Sequence, residues 1–253
     1  MRPNAAKRKL AAGGCVLNGW LSVPSGYSAE VVGHGGFDSV TVDMQHGMIG
    51  FDAALPMLQA LSSTPATPLV RVPALDGPAI MLALDAGAYG VICPMISTAA
   101  EARALVSACR YPPSGTRSFG PTRGLLYGGA DYTAHADDEM LVLAMIETRE
   151  GLDNVDAILA VEGLDGVFVG PNDLCLAFGC APASEPSESK AHDAILSVRD
   201  RAAAAGKVSG IFCSGPGAAA RRRDEGFGLV TPGNDAGWLK AWGRAALDAM
   251  GAT

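Results

Sequence analysis

The sequence predicts a closed (β/α)8 barrel, and three observations carry that reading. Eight short runs rich in β-branched and apolar residues recur along the 253 residues, at 15–21, 38–43, 68–72, 89–94, 141–146, 165–170, 208–213 and 227–231. Ala- and Leu-rich stretches of helical length, such as "FDAALPMLQALSS" and "TAAEARALVSACR", separate most of them. A recurring phrase, glycine then one or two spacers then strand-formers, opens four of the runs: "HGGFDSVTVD", "AGAYGVICP", "EGLDGVFVG" and "DEGFGLVTPG". A helix stopped by a left-handed glycine and followed at once by a strand has this signature. Regular strand–helix alternation requires parallel strands with crossover helices. Eight of them in a chain of this length fit a closed barrel better than an open doubly wound sheet.

The opening "MRPNAAKRKLAAGG" is basic, and no long apolar segment follows as a signal peptide requires; it reads as a solvated first helix. The second run, "DSVTVD", passes straight into "MQHG", and the third, "PLVRVP", ends in Arg71. After the fourth run and its helix comes "RYPPSGTRSFGPTRGLLYGGADYTAHADD" (110–138), which reads as a long irregular loop. The fifth run, "LVLAMI", leads into Glu147, and the sixth, "GVFV", into "GPND". A second irregular segment, 179–190, precedes the last two strands and helices. Long loops in a compact domain are often lids or oligomer contacts. Strands continue on both sides of each, so 1–253 is expected to be one barrel domain.

Hydrophobic residues make up 49% of the chain and charged ones 18%, enough for one large core. The net charge of −7 gives no long-range attraction to nucleic acid or anionic lipid, which leaves a small molecule as the expected partner. No apolar run approaches the roughly 18 residues of a membrane helix. The six cysteines (Cys15, Cys93, Cys109, Cys175, Cys180, Cys213) form no C-x-x-C pair. That argues against a disulfide framework or a zinc site and for a reducing cytoplasm.

Barrel enzymes carry their chemistry at the carboxyl ends of the strands. Asp43 with His46, Arg71, Glu147 and the Gly170-Pro171-Asn172-Asp173 run all fall there. Glu147 and Asp173 end successive strands, so a barrel sets them side by side. Two close carboxylates repel unless a proton or cation lies between them, and oxygen ligands suit Mg²⁺ or Mn²⁺. The competing reading is that each caps the helix after its strand. Arg71 suits an anion clamp, or alternatively a salt bridge to Asp43 or Glu147. His46 beside Asp43 suits proton transfer, or a histidine satisfied in a turn. "VGPND" offers backbone amides for a carboxylate, or a plain Asn/Asp cap. Arg117 and Arg123 could meet an acidic substrate tail, or be solvated or interfacial. No strand from the second to the sixth ends in lysine, which disfavours a Schiff base.

Together these residues resemble the HpcH/HpaI aldolase family of metal-dependent class II pyruvate aldolases. The likeness runs from "LNGWLS" through "DSVTVDMQHG", "PLVRVP", "GVICPMISTAAEARALVSACRYPPSGTRSFG" and "IETREGLDNVDAILAVEGLDGVFVGPNDL" to "GKVSGIF". It implies a (β/α)8 barrel of the phosphoenolpyruvate/pyruvate-binding type, in a homohexamer whose dimers exchange the last helix. It implies a divalent cation, Mg²⁺ or Mn²⁺ with Co²⁺ admissible, on Glu147 and Asp173. The substrates implied are a 2-keto acid and an aldehyde. Arg71 would stabilise the enolate, Gly170 to Asp173 would seat the substrate carboxylate, and His46 with Asp43 would move the proton of the aldol hydroxyl. Two departures stand out: Met145 replaces a glutamine common two residues before the metal-binding glutamate, and Gln45 replaces an acid in the usual "DGEHA". A citrate-lyase-type enzyme on acyl-CoA and a non-catalytic keto-acid-binding barrel are the rival readings.

Overall fold

Each glycine phrase ends a helix as its spacing predicts. Gly36, Gly87, Gly163 and Gly226 have φ of 92°, 101°, 79° and 101°, and each is followed within a few residues by a strand. The computed structural model describes residues 1–186 and 189–251. Its strands are β1 (Val16–Leu21), β2 (Ser39–Asp43), β3 (Thr67–Arg71), β4 (Gly90–Cys93), β5 (Leu141–Ile146), β6 (Gly166–Val169), β7 (Val208–Phe212) and β8 (Leu229–Thr231). All pair in parallel in sequence order. β8 closes on β1 through Val16↔Leu229 and Leu17↔Val230, giving the (β/α)8 barrel.

Helices α1 (Ala5–Ala11), α2 (Gly26–Gly33), α3 (Phe51–Leu61), α4 (Gly77–Asp85) and α5 (Ala99–Cys109) accompany the first half. Then come α6 (Thr122–Gly128), α7 (Tyr132–Glu139), α8 (Arg149–Asp153), α9 (Val155–Leu159) and α10 (Pro171–Ala177). Helices α11 (Ser189–Ala204), α12 (Pro216–Asp224) and α13 (Asp235–Ala249) complete the fold. The strands are buried on both faces, so the residues of β5 divide between two cores with the period of two that a pleated strand imposes. Leu141, Leu143 and Met145 join Trp20, Leu69, Ile92 and Phe168 inside the barrel, whereas Val142, Ala144 and Ile146 pack against the helices.

Two expectations are corrected here. The first helix is not merely solvated: it plugs the amino-terminal end of the barrel. Ala6 is buried in the inner core, and the buried Asn4 side chain donates to the carbonyls of Tyr89 and Glu139. Segment 110–138 is not a loop over the chemistry, because it folds into α6 and α7, and none of its residues lines the cavity at the strand ends. Arg117 is buried against Asp85 (2.7 Å) and the Tyr132 hydroxyl (3.0 Å), and Arg123 donates to the carbonyls of Ala86 and Leu58. Both guanidiniums are committed to holding the outer helices, so neither meets a substrate tail. In segment 179–190, Ser187 and Glu188 lie outside the described residues; Ser184 reaches Asn172 at 3.4 Å.

Candidate active site

The carboxyl ends of the strands surround a cavity of about 320 Å³. Every residue expected to hold the metal, seat the keto acid or move the proton lines it: Asp43, His46, Arg71, Glu147, Gly170, Pro171, Asn172 and Asp173. Trp20, Met145, Phe168 and Phe212 form its apolar floor, and Ser22 and Asn234 complete the wall. The register sets the floor: alternate residues that point inward within β1, β5, β6 and β7 fill the barrel up to the level where the polar residues begin.

Asp43, the last residue of β2, is a hub. Its Oδ1 accepts from Arg71 Nε at 2.8 Å and its Oδ2 from Arg71 Nη2 at 2.5 Å, a fork that fixes the plane of the guanidinium. Oδ2 also accepts from Trp20 Nε1 at 3.2 Å, and the Arg71 guanidinium carbon lies 4.9 Å from the Trp20 ring centre. Burial pushes the Asp43 carboxyl up. The Arg71 hydrogen bonds and charge, with Trp20 and the His46 amide, outweigh that and hold it below the ordinary carboxylate range. Asp43 does not orient the His46 imidazole as expected. Its Oδ1 takes the backbone amides of Gln45 (3.1 Å) and His46 (3.2 Å), closing the turn, while the imidazole is exposed and makes no hydrogen bond among the described residues. Of the two readings of Arg71, the salt bridge to Asp43 is present, and it uses Nε and Nη2, while Nη1 has no acceptor among the described residues.

Glu147 follows β5 and is 3% exposed, yet it has no basic partner within salt-bridge distance among the described residues. Its Oε1 accepts the Met95 amide at 2.8 Å. Met95 has φ 59°, a left-handed conformation that costs a non-glycine residue roughly 1–2 kcal/mol, and it aims that amide at the carboxylate. The Glu147 Oε2 atom accepts no hydrogen bond among the described residues and lies against Gly170, where a β-carbon would overlap it. A side chain at that position would have to displace the carboxylate. Burial pushes the Glu147 carboxyl up, and Asp173 pushes it further; the Met95 amide and Arg71 pull the other way and do not prevail. Neither acid is a helix cap. Thr148 caps α8, and Asp173 sits in the first turn of α10, behind Gly170, with no side-chain cap bond. The amides of Asn172 and Asp173 in that turn find no acceptor among the described residues.

Sequence reasoning missed Trp20, Ser22, Phe168, Phe212, Asn234 and the Met95 amide. The strand-end rule applied to β1 and β8 would have found Ser22 and Asn234. The Met95 contact has no sequence signal, since it depends on a main-chain angle.

The family described as HpcH/HpaI aldolase/citrate lyase matches this chain over residues 18–239. A hydroxypyruvate/pyruvate aldolase of Rhizorhabdus wittichii is 48% identical over 231 residues, covering 91% of this chain and 92% of that protein. The 5-keto-4-deoxy-D-glucarate aldolase of Escherichia coli is 38% identical over 242 residues, covering 94% and 93%. A crystal structure of a family protein from Burkholderia cenocepacia superposes with a TM-score of 0.92 at 31% identity, covering 98% of this chain and 99% of that one. Matched along nearly its whole length in sequence and in fold, the chain belongs to the HpcH/HpaI aldolase/citrate lyase family.

Proposed function

We propose that the protein is a divalent-metal-dependent, class II pyruvate aldolase. It would cleave 2-keto-4-hydroxy acids to pyruvate and an aldehyde, and run the reverse addition. The observation that carries the reading is the pairing of two unbalanced carboxylates, Glu147 and Asp173, with the Nη1 edge of Arg71 around one cavity. The relatives named above favour the aldolase branch over an acyl-CoA lyase.

The donor set fits a hard cation. Both groups are carboxylates, and among the described residues no basic side chain forms an ion pair with either and Glu147 Oε2 has no hydrogen-bond donor. Glu147 and Asp173 would hold Mg²⁺, Mn²⁺ or Co²⁺, which supplies Lewis acidity at the keto oxygen of the substrate. The amides of Asn172 and Asp173, beside Gly170 and Pro171, would donate to the substrate carboxylate. In cleavage the C3–C4 bond breaks and its electrons pass to the keto oxygen, where Arg71 Nη1 stabilises the enolate charge. His46 takes the proton of the C4 hydroxyl as that oxygen becomes the aldehyde carbonyl. Asp43 acts as a positioning residue, fixing Arg71 and the His46 turn together. Protonation of the enolate carbon by water then completes pyruvate, the step that methyl exchange in D₂O reads.

Self-association belongs to the same reading. Helix α13 and its C-cap residue expose Leu239, Trp242 and Met250, with Trp242 76% accessible, an apolar face suited to exchange with a neighbouring copy in a homohexamer. Six free cysteines suit a reducing cytoplasm. No described helix is long and apolar enough to cross a membrane.

The test is loss of the pyruvate methyl proton signal in D₂O. Exchange is expected with Mg²⁺ or Mn²⁺, and it should vanish with EDTA and in Glu147→Gln. His46→Ala should lower cleavage about 10²–10⁴-fold, the usual worth of a general acid–base group. A folded, metal-loaded protein without exchange would remove pyruvate as the nucleophile.

A further inference from the structure

Ser22 and Asn234 line the cavity, and the chemistry above does not use them. Ser22 follows β1 and Asn234 follows β8, the two strands that close the barrel. In a closed ring of eight, β1 lies opposite β5, so Ser22 stands across the mouth from Glu147. The floor beneath them, Trp20 of β1 and Phe212 of β7, is aromatic. A hydroxyl and an amide there are polar groups beside two aromatic rings, and no step above employs them.

Ser22 is held on several sides. Its amide donates to Asp235 Oδ1 at 2.7 Å, and its carbonyl accepts from Met48 N at 3.1 Å. Gly47, next to His46, packs against its α-carbon closely enough that a β-carbon there would sit 3.2 Å away. Asn234 is the N-cap of α13 and accepts Gly237 N on its Oδ1 at 2.8 Å. That bond fixes the amide orientation, so Asn234 Nδ2 donates to Ser22 Oγ at 3.1 Å. The Ser22 oxygen therefore accepts one bond, and its hydrogen has no acceptor among the described residues. The cap explains Asn234; it does not explain the serine.

We infer that Ser22, oriented by Asn234, is a specificity-determining residue that donates a hydrogen bond to a hydroxyl carried on the carbon next to the aldehyde carbonyl. This rests on the aldolase reading. The keto-acid end of the substrate is taken by the Glu147 and Asp173 side, by Arg71 and by the first turn of α10. The new carbinol oxygen falls to His46. What remains is the aldehyde substituent, and it extends from the His46 turn towards its packed neighbour, Ser22. A polar group at that point discriminates because an aldehyde lacking the hydroxyl leaves the Ser22 donor unpaired.

The test compares aldol addition of pyruvate to glycolaldehyde and to acetaldehyde, which differ by that hydroxyl. In Ser22→Ala the ratio of kcat/KM values, glycolaldehyde over acetaldehyde, should fall about three- to tenfold, the worth of one net hydrogen bond. The change should appear in the KM for glycolaldehyde. Ser22→Thr, which keeps the hydroxyl, should restore most of the ratio. Asn234→Ser keeps a capping oxygen but removes the donor that orients Ser22, and should move the ratio the same way by less. A ratio within about twofold of wild type in Ser22→Ala, or an equal loss on both aldehydes, would overturn the assignment. Pyruvate methyl exchange without aldehyde separates the failures. Wild type without exchange would overturn the aldolase reading and this inference with it, whereas exchange with an unmoved ratio overturns the inference alone.

Discussion

Asp43 and Glu147 are acids at strand ends, 2% and 3% exposed, on the same cavity, yet their surroundings push them in opposite directions. Asp43 receives two Arg71 donors, the Trp20 indole and two backbone amides, and its carboxyl lies below the ordinary range. Glu147 receives one amide, faces Asp173, and its carboxyl lies above that range. Burial is common to both. The difference is the partner set, and it separates a group whose charge the protein has already neutralised from one whose charge is left for something else to neutralise.

The largest expected effect comes from breaking the satisfied side. Asp43→Ala leaves the Arg71 guanidinium 11% exposed and unpaired, and removing one member of such a pair costs about 3–5 kcal/mol. Denaturant unfolding should show a loss of that order. The pH dependence follows the sign of the shift. Because the folded-state pKa of Asp43 is depressed, its stabilisation is present above the unfolded carboxylate range and is lost as pH falls through the folded value. Asp43→Ala should therefore flatten the acid limb of a stability profile.

Breaking the other side should do the reverse to stability. The folded-state pKa of Glu147 is raised, so the metal-free fold is favoured while the group is protonated. That advantage disappears as pH rises through the folded value. Glu147→Gln should raise the melting temperature of the metal-free protein near pH 8, by about 2–4 °C for each kcal/mol recovered, while abolishing pyruvate exchange. A fall would mean that the carboxylate is internally balanced after all. Gly170→Ala sharpens the contrast with a smaller change. The new β-carbon displaces Glu147 Oε2 without touching Asp43, and should weaken cation affinity about 10–100-fold by calorimetric titration, the range seen when groups supporting metal ligands are altered.

The same contrast marks what a reader of the sequence could see. All eight strands fall within two residues of their expected bounds, because left-handed glycines and apolar runs are local signals. The rim residues follow from the barrel rule once the strands are placed. Illegible was whatever depends on a particular contact. The Asp43 bonds to the main chain of the His46 turn, the left-handed Met95 and the docking of Asn4 into the barrel end leave no trace in spacing. Helices α6 and α7 were missed because "PTRGLLYGGADYTAHADD" breaks its own helical periodicity with glycines. Their arginines looked available for substrate because charge is visible in a sequence and its partner is not.

The most direct measurement is a Mn²⁺ titration of the metal-free protein, followed by the EPR signal of the free ion. The account predicts one cation site per chain in wild type, lost in Glu147→Gln and in Asp173→Asn and retained in Arg71→Lys. Undiminished binding in both carboxamide variants would contradict it, because the unbalanced side of the cavity would then not be where the cation sits.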